Sequence, residues 1–207
     1  MKTTNPRPRA AWGSISRKLV VDTAERLVRA GGYEEMTIRS LAAELGVAPM
    51  SVYRYVRDKE DLLSEVVDHL LARRWRPRTA PDDWMTWTAE AARRFRDFLV
   101  SQPVALHVYL QHPVISPAAI ARMDAMLEVL RSTGFDEESA IRAYGTIHVY
   151  TIGFAALEAS RARSTQKRAD TSDSAEFLAT FTTSRQFDEG LLYLLEGIER
   201  QRAAAKV

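Results

Sequence analysis

The sequence contains no cysteine. Disulfide frameworks, thiolate nucleophiles and zinc fingers built on cysteine are therefore excluded. No apolar run approaches the roughly 20 residues that a membrane-spanning helix needs. Gly-rich phosphate loops, nucleophile motifs and a His-x-x-x-His metal spacing are missing as well, and only four histidines are present. An enzyme acting on a small molecule is thus a rival reading without a motif behind it, and no cofactor or metal is expected. No stretch alternates polar and apolar residues as a strand would. The opening residues, Met-Lys-Thr-Thr-Asn-Pro-Arg-Pro-Arg, are basic but carry no apolar core of a secretory signal. A cytoplasmic protein is expected, with residues 1–15 as a flexible basic arm.

What is present is a helical chain with uneven charge. Hydrophobic residues make up 46% of the 207, ample for a core. The net charge of +2 hides an asymmetry: residues 1–79 hold 15 Lys/Arg against 10 Asp/Glu, and residues 80–207 hold 14 against 17. A basic first part suits a polyanion. Apolar residues recur at helical spacing nearly throughout, which predicts an all-α fold. The prolines and acids of residues 76–83 mark the main break, so that 16–75 form one domain and 76–207 another. From Ile141 to Leu157 one helix is apolar nearly all round, which predicts one side for the internal core and another for a partner subunit. Residues 161–176, rich in Arg, Ser, Thr and Asp, read as a loop.

Residues 37–59 carry the most information. Thr37 is suited to cap a helix whose inner face is Ile38, Leu41, Ala42 and Leu45. Gly46 stands where that helix must stop and turn, and Val47 plugs the turn. Pro49 suits the first turn of the next helix. Val52 and Val56 face inward, leaving Met50, Ser51, Tyr53, Arg54 and Tyr55 for the other faces. This is the pattern of a helix-turn-helix, whose second helix presents side chains to base edges in the major groove.

Residues 31–42 (Gly-Gly-Tyr-Glu-Glu-Met-Thr-Ile-Arg-Ser-Leu-Ala), 45–56 (Leu-Gly-Val-Ala-Pro-Met-Ser-Val-Tyr-Arg-Tyr-Val) and 58–63 (Asp-Lys-Glu-Asp-Leu-Leu) resemble the DNA-binding head of the tetracycline-repressor family of transcriptional regulators. Residues 112–113, 134–140 and 187–199 are similar to the C-terminal domain of the same type. The resemblance implies an all-helical homodimer joined by its last two long helices. It implies a palindromic operator in double-stranded DNA, and a small-molecule effector that releases it. A dimer that binds DNA without any effector is the alternative. By match to the family pattern, Thr37 and Arg39 reach DNA from the first helix of the motif. Pro49, Met50, Ser51, Tyr53, Arg54 and Tyr55 line the second, and Lys59 lies by the backbone. Arg can bond guanine bidentately, and Pro49 and Met50 offer apolar contact to thymine methyls.

The candidates for the effector pocket are Trp84, Trp87, Phe95, Leu99, His107, Tyr109, Leu110, Met123, Met126, Tyr144, His148 and Thr151. Such residues can equally be plain core. His148, polar within an apolar helix, must find a partner there: a neighbour, the other subunit or a ligand. Repressors of tetracycline hold the drug with magnesium through a His and polar side chains of the fourth and fifth helices. Trp75 and Ala91 stand at the corresponding positions here, so an apolar or aromatic effector is expected.

Overall fold

The computed structural model describes residues 15–74, 83–111, 116–167 and 181–204. The basic arm up to residue 14, Trp75 and residues 168–180 lie outside the described residues. Every element among the described residues is a helix, and the chain divides into two compact units between Ala72 and Arg73.

The first unit holds α1 (Arg17–Gly31), α2 (Ile38–Leu45), α3 (Pro49–Val52) and α4 (Lys59–Arg74). Ser16 caps α1, its hydroxyl accepting from the Leu19 N–H at 3.1 Å. Thr37 caps α2 in a reciprocal box. Its Oγ1 accepts from the Ser40 N–H at 3.0 Å, while the Ser40 hydroxyl accepts from the Thr37 N–H at 2.9 Å. Gly46 closes α2 in the left-handed conformation, φ 69° and ψ 31°. The Val47 N–H then reaches the Ala42 carbonyl at 2.9 Å, which satisfies a carbonyl the helix leaves open. Asp58 begins α4 by accepting from the Asp61 N–H. Val20, Ala24, Leu41, Val52, Val56, Leu62, Leu63, Val66 and Val67 are buried as one set of inward faces.

The helix expected after Pro49 is shorter than its sequence pattern suggests. It ends at Val52 and continues as turns, with Tyr55 and Val56 both donating to the Val52 carbonyl. Val52, Tyr53, Tyr55 and Val56 are β-branched or aromatic, and such residues lose rotamer freedom in a helix.

The second unit holds α5 (Trp84–Ser101), α6 (Pro103–Gln111), α7 (Pro117–Ser132), α8 (Glu137–Lys167) and α9 (Ser184–Ala204). Asp83, Ser116 and Asp136 cap α5, α7 and α8 with side-chain oxygens. Helix α8 is the axis of this unit and packs on α5, α6, α7 and α9. It runs to Lys167, so residues 161–167, expected as loop, are helical. Arg161 near its end donates to the Thr182 hydroxyl ahead of α9. The core includes Trp84, Trp87, Met126, Leu130, Phe135, Ile147, Phe154, Phe187 and Leu191. At Gly190 a Cβ would collide with the Tyr150 hydroxyl oxygen. The missing side chain lets Tyr150 donate to the Phe187 carbonyl at 3.0 Å and bind α8 closely to α9.

Candidate functional site

Two groups of side chains are not explained by packing, one in each unit.

In the first unit the basic residues sort by partner. Arg17 pairs with Glu65, Lys18 with Asp22, Arg26 with Glu44, Arg29 with Glu25 and Arg57 with Asp61. Lys59 donates to the Glu34 carbonyl at 3.2 Å, which ties the start of α4 to the turn before α2. Arg39 and Arg54 are exposed, and neither has a carboxylate or hydrogen-bond partner among the described residues. Arg39 is on the first turn of α2 and Arg54 follows α3. They therefore flank the helix-turn-helix with their charges free. Met50 and Tyr53 beside them are 74% and 47% exposed, large apolar surfaces turned to solvent rather than to the core. Pro49 is exposed and Ser51 half-buried.

Besides Lys59, two members of the expected DNA set have internal duties. The Thr37 hydroxyl is occupied in the capping box. Tyr55 is half-buried, and its hydroxyl donates to the Ile15 carbonyl at 2.9 Å, fastening the residues before α1 to the end of the motif. Its role visible here is to hold the motif in place.

In the second unit the pocket candidates separate into two places. A helix rises about 1.5 Å per residue, so Trp84 and Trp87 lie roughly 16 and 12 Å along α5 from Phe95. Trp84 is fixed in the core: its indole N–H donates to Glu199 at 3.1 Å, and its ring meets the Phe135 ring edge-on at 5.0 Å. Trp87 and Met126 belong to the same core, and Met123 packs against it. The Thr151 hydroxyl is satisfied by the Ile147 carbonyl one turn back, at 2.7 Å. Leu99 is fully buried and His107 half-buried. Leu110 is 56% exposed and lines nothing inside this unit.

Phe95, Tyr109, Tyr144 and His148 do come together. The His148 ring stacks on Phe95 at 5.5 Å and on Tyr144 at 5.3 Å, and Tyr109 meets Phe95 edge-on at 5.2 Å. The centre of the group is a residue the sequence reading missed. Arg122 on α7 is only 3% exposed, with its guanidinium carbon 4.0 Å from the centroid of the Phe95 ring. Its Nη2 donates to the Tyr144 hydroxyl at 2.9 Å and to His148 Nδ1 at 3.0 Å. Arginine can only donate, so Nδ1 accepts and the His148 proton sits on Nε2. Burial, followed by the Arg122 charge, lowers the His148 pKa from 6.5 to about 4, which keeps the ring neutral. The signal for Arg122 was its position. It falls with Ala118, Ala119 and Met126 on the buried stripe of α7, where a charge is out of place.

A third feature is an apolar ridge on the outside. Ile141, Val149 and Leu157 are exposed on α8 at multiples of four residues, with Gly145 and Gly153 between them. Positions four apart are neighbours on a helix surface and each such step turns by about 40°, so these residues form an apolar, low strip that winds round α8. Leu192 and Tyr193 are exposed on α9.

Comparison with known proteins agrees with both halves. Residues 20–66 match the bacterial regulatory proteins of the tetR family, and residues 76–180 match the tetracyclin repressor-like C-terminal domain. The HTH-type transcriptional repressor DrrR1 of Streptomyces coeruleorubidus is 32% identical over 73% of this chain, a match that spans 57% of that repressor's own length. The class A tetracycline repressor from transposon 1721 of Escherichia coli is 26% identical over 90% of this chain and 92% of its own. A crystal structure of a possible TetR family regulator from Streptomyces coelicolor A3(2) superposes with a TM-score of 0.74 at 26% identity. It covers 89% of this chain and 99% of that one.

Proposed function

The chain belongs to the tetracycline-repressor family of bacterial regulatory proteins, and we propose that it is a dimeric repressor released from a palindromic operator by a small, largely aromatic effector. One observation carries the DNA side. Of the basic residues described in the first unit, Arg39 and Arg54 alone have no protein partner, and they flank the exposed Met50 and Tyr53 of the helix-turn-helix. A cation without a carboxylate is free to meet a phosphate or a guanine edge, while Met50 and Pro49 suit thymine methyls. Tyr53 supplies a hydroxyl for the DNA backbone, and Lys59, held to the Glu34 carbonyl, a third cation beside it.

The ridge on α8 supports the dimer. Two such faces bury their apolar residues against each other, and Gly145 and Gly153 let the backbones approach, since a Cβ at either would meet nothing inside the subunit. Two heads in one dimer then read half-sites about 34–36 Å apart. An effector bound in the second unit acts by preferring a different spacing of the heads, and it lowers DNA affinity by its differential affinity for the two states.

The test is selection of bound duplexes from a random pool by the purified protein, beside Arg39→Ala. Enrichment of one inverted repeat by the wild type and none by the variant supports the reading. No enrichment by either refutes sequence-specific binding.

A further inference from the structure

We infer that the effector carries an anionic group, a carboxylate or an ionised phenol or enol on an aromatic framework, and that Arg122 is the residue that receives it. The inference rests on the reading of the second unit as effector-binding and adds the charge of the ligand.

Two of the described arginines are buried in this unit. Arg96 on α5 has its counter-ion, with Nε and Nη2 each 2.8 Å from an oxygen of Glu158 and Nη2 also donating to the Ser184 hydroxyl at 3.1 Å. Arg122 has none: among the described residues no carboxylate lies within ion-pair distance of it. Its partners are a phenol hydroxyl, a neutral imidazole and the faces of Phe95 and Tyr144. An arginine cannot escape burial by giving up its proton, so the positive charge stays. A ring face offers only partial compensation. The Nε–H is buried and has no hydrogen-bond acceptor among the described residues, although buried polar groups are nearly always satisfied. A planar donor with an unused N–H and an uncancelled charge, walled by Phe95, Tyr109, Tyr144 and His148, fits a ligand with an aromatic body and a negative oxygen. His148 brings no positive charge to that role, since its ring is neutral and its Nδ1 already accepts from Arg122.

The test compares 2-naphthoate, its neutral amide 2-naphthamide, and acetate, by calorimetry and by thermal unfolding of the full chain. Naphthoate is expected to bind roughly tenfold or more tightly than the amide, a difference of about 1.4 kcal/mol, and acetate not measurably at the same concentration. Arg122→Met should bring naphthoate down to the affinity of the amide, and Arg122→Lys should recover part of the preference. Arg122→Met should also unfold no earlier than the wild type, because it removes an unpaired charge. Equal binding of naphthoate and amide by the wild type would overturn the anion inference while leaving an aromatic effector site in place. That comparison needs no variant. Binding of neither aromatic probe at millimolar concentration would overturn the effector site itself. Acetate binding as well as naphthoate would reduce the site to one for small anions.

Discussion

Arg96 and Glu158 form a two-armed ion pair, both bonds 2.8 Å long, that ties α5 to α8. The arginine is 7% exposed at its side chain and also lies over the Phe187 ring of α9, 5.2 Å from the centroid. Removing the acid leaves a buried guanidinium with only the Ser184 hydroxyl and the exposed Asp97 carboxylate, 3.6 Å away. Glu158→Ala is therefore expected to cost about 3–5 kcal/mol of stability, and Arg96→Met paired with Glu158→Leu distinctly less. Urea unfolding of the single and double variants measures both. Equal losses would mean that shape rather than charge matters at this point.

Gly190 and Tyr150 form a second joint, between α8 and α9. A methyl at 190 would collide with the Tyr150 hydroxyl and break its bond to the Phe187 carbonyl. Gly190→Ala should lose about 1–3 kcal/mol despite the better helix propensity of alanine. Adding Tyr150→Phe removes the colliding atom and should restore part of the loss, as thermal melts of the two variants would show.

His148 gives the protein a pH dependence of known sign. Folded, its pKa is about 4; unfolded, it returns to the ordinary 6.5. Between these values the unfolded chain binds a proton that the folded chain does not, so stability rises with pH across the window from about 4 to 6.5. The contribution is fully present above pH 6.5 and lost as the pH falls toward 4. His148→Gln, which keeps an acceptor for Arg122, should flatten this slope. Subtracting the variant's unfolding free energies from those of the wild type cancels the carboxylates that titrate nearby.

Val149 stands in the middle of the α8 ridge and is 70% exposed. Val149→Glu should leave the helical content and melting of the subunit nearly unchanged and shift its sedimentation to that of a monomer. It should also weaken DNA binding strongly, because a single head reads only one half-site. A variant that remains dimeric would place the interface elsewhere.

Most of the fold was legible because its signals are local. Thr37 caps α2 as its place ahead of an apolar-periodic run predicts, and Gly46 turns where only a residue tolerant of positive φ fits without strain. Two boundaries were not. The α3 helix is cut short by its own β-branched and aromatic residues, and α8 continues through polar residues that look like loop. The site was legible by kind but not by grouping. Phe95 and Trp84 share one stripe of α5, yet only distance along the axis separates a residue facing Arg122 from one locked against Phe135. Arg122 itself was hidden by the habit of reading charges as solvent-facing, although its place on the α7 stripe marked it. The two duties of Tyr55 and Lys59 inside the head rest on contacts 40 and 25 residues apart, which no local pattern encodes.

In the proposed function the two unpaired arginines of the head read an operator. The most direct measurement is titration of the protein against DNA from upstream of its own gene, at several salt concentrations, beside Arg39→Ala and Arg54→Ala. The account predicts saturable, sequence-selective binding by a dimer. It expects Arg54→Ala to relax selectivity at its half-site base by about 1–3 kcal/mol. A lost phosphate contact at Arg39 lowers the salt slope by about 0.9 for each head. Binding that is equally weak for any duplex, with the same salt slope in all three proteins, would contradict it.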